Sequence, residues 1–304
     1  MNILGIAYIG LESPTHKDWE EFGTEVMGFG LAEPGADGTV HLRMDDRRFR
    51  IAVHPGEVNR LAYLGWEMRD RPSYEEAIEK LRTSGFAVKE GDLELCEQRG
   101  VHSMASFTDP AGYHMELCYG QYFHPRSFSP GRSMNGFVAE NTGVGHVVLA
   151  VPELTEEIQS FAQDVMGMRW FGHGAMRQGG AFYRPKLNPH SHCIAYVQIP
   201  GHHGIHHIGI EVQSVDDVGT AYDIVEERSI PLQVTLGRHT QDPVISFYVY
   251  TPSGMVIEYL TEGEEYSDEN PFYEVFPEKL SLWGHKFVGD GMPGTVLPIE
   301  QAAG

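Results

Sequence analysis

The sequence predicts an α+β fold of four βαβββ modules, paired two by two into two domains. Three observations predict it. The two halves of the 304-residue chain repeat each other. Each half reads twice as a strand, a helix and several returning strands. The strand-like segments alternate in pattern, whereas the helical ones carry apolar residues at a spacing of three and four.

The first half opens on GIAYIGLESPTHKDWEEFGTEVMGFGL from Gly5, which matches GVGHVVLAVPELTEEIQSFAQDVMGMRW from Gly143. In the opening strand Ile6, Tyr8 and Gly10 alternate with Ala7, Ile9 and Leu11. A turn with Pro or Ser follows, then an amphipathic helix. In the second half this helix covers about 156–165, with Ile158, Phe161, Ala162 and Val165 on one stripe. Both helices end at a glycine, in Met-Gly-Phe-Gly and Met-Gly-Met. The second module of each half opens on RLAYLGWEM from Arg60 or GIHHIGIEV from Gly204, and closes on TDPAGYHMEL from Thr108 or YTPSGMVIEY from Tyr250. These units place one domain at 1–135 and a second at 136–290, with a tail at 291–304; the segment 131–142 joins the halves. Pairing two open sheets curves them around a shared cavity.

Composition narrows the function. A formal net charge of −21 disfavours nucleic acid and anionic membrane surfaces, which attract basic patches. No apolar run reaches the length of a membrane span. The start, MNILGIAYIG, lacks a basic leader and reads as strand. Cys96, Cys118 and Cys193 form no paired pattern, which points to a reducing cytoplasm.

The repeat also works as a control. His146 aligns with Tyr8, His207 with Tyr63, and Glu258 with Glu116. Only the second half therefore offers two imidazoles and a carboxylate from three strands, the ligand set of a non-haem Fe(II) oxygenase. Glu258, set among Val256, Ile257, Tyr259 and Leu260, is costly to bury without a positive partner. Alternation places Val144, His146 and Val148 on one face and Val147 and Leu149 on the other. The structural alternative for a single strand histidine is a hydrogen-bonded core residue; two at equivalent places with Glu258 favour a metal. The retained Glu116 shows that the fold tolerates a glutamate there without one.

His192, His239 and Tyr248 complete the candidate cluster, His192 and Tyr248 in strand-like runs and His239 in a polar turn. Asp242 either sets the tautomer of an imidazole or is a turn aspartate before Pro243. His202, His203 and His206 read as a polar loop, with His206 pointing away from the face of His207.

Residues 237–258 resemble the extradiol ring-cleavage dioxygenase signature: Gly237, His239, Phe247-Tyr248, Thr251-Pro252, Gly254 and Glu258 at matching spacing. The βαβββ repeat resembles the vicinal oxygen chelate, or glyoxalase-like, fold, and 1–290 is similar to two-domain type I enzymes acting on 2,3-dihydroxybiphenyl, 1,2-dihydroxynaphthalene and substituted catechols. The resemblance implies that His146, His207 and Glu258 bind Fe(II), with Mn(II) as the lesser alternative and no flavin or nicotinamide. It implies that His192 is the acid/base beside oxygen, that His239 and Tyr248 contact the substrate hydroxyls, and that Asp242 stands one layer outside the ligands. It further implies a catecholic substrate, O₂, both oxygen atoms retained in the product, and a homo-oligomer. Two positions depart from the pattern: Gln241 replaces a frequent Asn, and Ser191 a frequent second His. Phe182, Met176 and Phe272 are expected pocket walls, although ordinary core packing explains them equally well. The rival readings are a metal-dependent isomerase, which needs a fourth protein ligand, and a metal-free small-molecule binding protein of the same fold.

Overall fold

The computed structural model describes residues 1–173, 179–270, 279–289 and 291–299. The first sheet contains β1 (Ile3–Ser13), β2 (Gly30–Leu31), β3 (Val40–Arg43), β4 (Ile51–Pro55), β5 (Arg60–Met68), β6 (Lys89–Glu90), β7 (Val101–Thr108) and β8 (His114–Gln121). The second contains β9 (His146–Val151), β10 (Arg169–Gly172), β11 (Gly180–Arg184), β12 (Ile194–Gln198), β13 (His202–Glu211), β14 (Leu232–His239), β15 (Ile245–Tyr250), β16 (Val256–Thr261), β17 (Ser281–Gly284) and β18 (Val296–Pro298).

The strand orders are β2-β3-β4-β1-β5-β8-β7-β6 and β10-β11-β12-β9-β13-β16-β15-β14-β17, with β18 paired to β13. Through the first eight strands the two orders are the same. In each module the first strand lies parallel to the last, and the two modules of a sheet meet through an antiparallel central pair, β1 with β5 and β9 with β13. This is the vicinal oxygen chelate arrangement of four βαβββ modules.

The helices follow local signals. Asp70 caps Arg71–Thr83, Thr155 caps Glu156–Ser160 and Ser214 caps Val215–Glu227, each side chain accepting a backbone N–H in the first turn. The stripe expected over 156–165 is present, with Ile158, Phe161 and Ala162 buried. Its second part, Phe161–Val165, is π-helical, as is Phe22–Met27 in the first half. Gly28, at a φ of 84°, ends Phe22–Met27 as expected.

The two halves dock reciprocally through their equivalent turns. In the first half's turn, Tyr113 donates to the Ala150 carbonyl at 2.5 Å, and Asp109 accepts from the Tyr196 hydroxyl at 2.7 Å. In the second half's turn, Ser253 accepts from the buried Trp19 indole at 2.6 Å, and the Pro252 carbonyl accepts from Thr15 at 3.1 Å. Fully buried Arg50 joins this seam, donating to Asp45, Gln121 and the carbonyls of Ala7 and Ala139. A buried guanidinium with every arm paired avoids the cost of an isolated charge.

Two expectations about strands need correction. β9 begins at His146, so Val144 lies outside the alternation and packs into the main core with Val147 and Leu149. β13 begins at His202, so the segment 202–206 is strand and not loop.

Candidate metal centre

The second sheet brings its three differing positions to one point. His146 lies opposite Gly209 on the neighbouring strand, and Gly209 lies opposite Glu258 on the next. The first sheet repeats this register with Tyr8, Gly65 and Glu116. Glycine is needed at the middle position, because a Cβ on Gly209 would stand 2.1 Å from the His146 ring. His207 reaches the same point from β13.

His146 Nε2 lies 3.1 Å from Glu258 Oε2 and 3.3 Å from His207 Nε2, and His207 Nε2 lies 3.5 Å from Glu258 Oε2. Ligands about 2.1 Å from an ion and at right angles to one another lie about 3.0 Å apart. The three atoms therefore fit one face of a divalent ion's coordination sphere. They are the one group of three or more metal-ligating side chains that converges in this way among the described residues.

The first half shows what stands at the equivalent place there. Glu116, equally buried, receives the Arg99 guanidinium at 2.9 and 3.0 Å and the Tyr8 hydroxyl at 2.7 Å. The same guanidinium lies over the Tyr63 ring at 3.5 Å. Tyr8, Tyr63 and Glu116 thus surround a cation that the chain itself supplies. Among the described residues, the ion-pair partners of Glu258 are all histidines: His146, His207 and His239.

The electrostatics follow from this. Burial alone would push the Glu258 carboxyl up, but the His146 and His239 hydrogen bonds and charges outweigh it and hold it well below the usual range. Burial pushes His207 well down, which favours the neutral imidazole that a metal binds.

His192, His239 and Tyr248 all face the same space. His239 Nε2 lies 2.9 Å from the Tyr248 hydroxyl and 3.2 Å from Glu258 Oε1, and Nδ1 lies 3.3 Å from the Leu280 carbonyl. Burial would lower His239, but Glu258 outweighs it and raises it. Burial, then Glu258, pushes the Tyr248 phenol well up. His192 packs on the His146 ring at 4.3 Å and meets Phe182 edge-on at 5.0 Å. It lies two residues before β12 and not within a strand, so the strand-like reading of its position is corrected. Burial pushes Asp242 up to about 6, and Ser191 hydrogen-bonds to it.

These groups line a cavity of about 350 Å³. Phe182 lines it, as do Phe171, Val148, Val197, Ile199 and Phe287. Met176 and Phe272 lie outside the described residues. His206 also lines the cavity, contrary to the alternation argument. The register between β9 and β13 shifts between Ile205 and His207, and this bulge turns both histidines toward the site. His206 Nδ1 lies 2.8 Å from His207 Nδ1, and burial pushes His206 down to about 4. A neutral His206 can accept the Nδ1–H of His207 and so fix the ring with Nε2 toward His146 and Glu258. His285, just after β17, has no counterpart in the sequence reasoning; its ring lies 4.4 Å from that of His239.

Comparison with known proteins agrees with this geometry. Residues 6–56 match the family model described as dihydroxybiphenyl dioxygenase BphC D1, and residues 143–259 match the glyoxalase/bleomycin resistance protein/dioxygenase superfamily. The chain is 35% identical to a biphenyl-2,3-diol 1,2-dioxygenase of Paraburkholderia xenovorans (strain LB400), over 95% of this chain and 97% of that protein. It is 34% identical to an iron-dependent extradiol dioxygenase of Rhodococcus jostii (strain RHA1), over 94% and 98%. The solved structure of BphC, a halotolerant catechol dioxygenase, superposes with a TM-score of 0.90 at 34% identity, covering 97% of this chain and 98% of that one.

Proposed function

Because this chain belongs to the iron-dependent extradiol ring-cleaving dioxygenases of the glyoxalase/bleomycin resistance protein/dioxygenase superfamily, we propose that His146, His207 and Glu258 hold its Fe(II), and that the cavity above them takes a substituted or bicyclic catechol. The reaction class is oxidative ring opening of a catechol with O₂. The observation that carries the ligand assignment is the convergence of three ligand atoms, 3.1 to 3.5 Å apart, around a buried carboxylate that no Arg or Lys neutralises among the described residues.

Fe(II) held by these three residues would supply the Lewis-acid and redox chemistry that the reaction of a catechol with O₂ needs. The protein's own groups handle protons and exclude water. The His239–Tyr248 pair, 2.9 Å apart, is built to take and return a proton at a substrate hydroxyl. His192, on the adjoining wall beside His146, is the acid and base on the oxygen side. Phe171, Phe182, Val148, Val197, Ile199 and Phe287 form an apolar wall that favours an aryl or alkyl substituent. A volume of about 350 Å³ lies at the small end of ligand pockets, which span about 300–1,000 Å³. That supports one or two rings and disfavours larger polycycles.

The wider setting is inferred from the same features. No helix among the described residues is long and apolar enough to cross a membrane. Three free, buried cysteines support a reducing cytoplasm. Exposed Leu282 and Trp283 on the edge strand β17 support assembly between copies of the chain.

The deciding experiment is O₂ uptake by anaerobically iron-loaded protein across a panel of monocyclic and bicyclic catechols, with ring-opened product measured alongside. One O₂ consumed per product, fastest with a 3-aryl or fused-ring catechol, is the expected result. Conversion of substrate without O₂ uptake would reject the ring-cleavage reading.

A further inference from the structure

Behind His192, Ser191 and Asp242 form a pair that the ligand and proton assignments leave unused. Ser191 is buried, and its Oγ lies 2.9 Å from His192 Nδ1. The same Oγ hydrogen-bonds to Asp242 Oδ2, which is itself 3.8 Å from Nδ1 and so beyond a direct bond. An ionised carboxylate only accepts hydrogen bonds. The serine hydroxyl must therefore donate to Asp242, and its oxygen is left to accept a proton from His192 Nδ1. Among the described residues His192 makes no hydrogen bond through Nε2, while the ring lines the substrate cavity.

The far side of Asp242 is also built. Its Oδ1 is buried without a protein partner among the described residues. It borders a separate cavity of about 20 Å³, lined also by His190, Glu211 and Glu264.

We propose that Ser191 is the positioning residue that sets the tautomer of His192, holding the ring with Nδ1 protonated and Nε2 free toward the substrate cavity, while its own hydroxyl is committed to Asp242. A free Nε2 is what a base facing the reacting oxygens requires. Without the hydroxyl, Asp242 stands too far from Nδ1 to take over, and the ring has no fixed proton. The proposal rests on the catechol reading only for its catalytic consequence; the tautomer itself does not depend on it.

The test is ¹⁵N NMR of the histidine rings in the metal-free and zinc-loaded protein, with His192 assigned by comparison with His192→Asn. The wild type is expected to show the Nδ1–H form. Ser191→Ala should lose that preference and Ser191→Thr should restore it. In the iron-loaded enzyme Ser191→Ala should keep its iron and turn over about tenfold more slowly or worse, with Thr again restoring the rate. An Nε2–H form in the wild type, or an unchanged tautomer in Ser191→Ala, would overturn the proposal. If the wild type consumed no O₂ with any catechol, the catechol reading would fail, while the NMR result would still decide the role of Ser191.

Discussion

Glu116 and Glu258 hold equivalent places, one opposite Gly65 and the other opposite Gly209. Each carboxylate is buried, and each needs a positive charge nearby. Glu116 obtains it from Arg99. Glu258 has three histidines and, among the described residues, no Arg or Lys. The two sites therefore respond differently to mutation. Arg99→Met strands a buried carboxylate and should destabilise the protein by about 3–5 kcal/mol in urea unfolding, while iron content stays unchanged. Glu258→Gln removes the charge together with the proposed ligand, so iron should be lost, and the metal-free protein should unfold earlier than metal-free wild type, because the histidine contacts that hold the ionised carboxyl well below its usual range go with it.

At the scale of the element, β13 does most to shape the site. It carries His207 and Gly209, and its bulge brings His206 to the same side. Gly209→Ala is compatible with a strand backbone but forces the His146 ring to move, since the added Cβ would stand 2.1 Å from it. Iron affinity should fall about tenfold or more, measured by anaerobic titration, with far-UV circular dichroism unchanged. The convergence of His146, His207 and Glu258 is legible in the sequence because the repeat sets each one against a Tyr or Glu counterpart. His206 was not, since a bulge leaves no mark on the hydrophobic pattern and defeats alternation just where it was applied. Arg99 was equally hidden. It ends the short helix Leu93–Arg99, and only the folded register carries its guanidinium to Glu116. His192 was found by resemblance and chemistry, although it sits just ahead of its strand.

Over the whole molecule, the repeat serves both the site and the seam. The turns that close the second module of each half, Asp109 to Tyr113 and Thr251 to Ser253, each dock onto the opposite half. The Thr-Pro-Ser-Gly part of the signature thus has a packing role beside its place next to Glu258. Asp109 makes this seam sensitive to pH. Burial raises its carboxyl from 3.8 to about 6 on folding, against the hydrogen bond from Tyr196. A raised acid favours the folded state while protonated, so its contribution is complete below about pH 4 and is lost as pH rises through about 6. Asp109→Asn should flatten the stability profile in that window; an unchanged slope between pH 4 and 6 would contradict this assignment. The module order and the pairing of halves were legible from the repeat. The reciprocal docking was not, because it depends on contacts such as Trp19 with Ser253, 234 residues apart in the chain.

One half of this molecule holds its cation covalently, as Arg99, and we propose that the other binds one. Counting Fe(II) by anaerobic titration of the metal-free protein tests it most directly, with His146→Ala as the control. One Fe(II) per chain, lost in His146→Ala, is the predicted result. Two per chain, none, or one that survives His146→Ala would contradict the account.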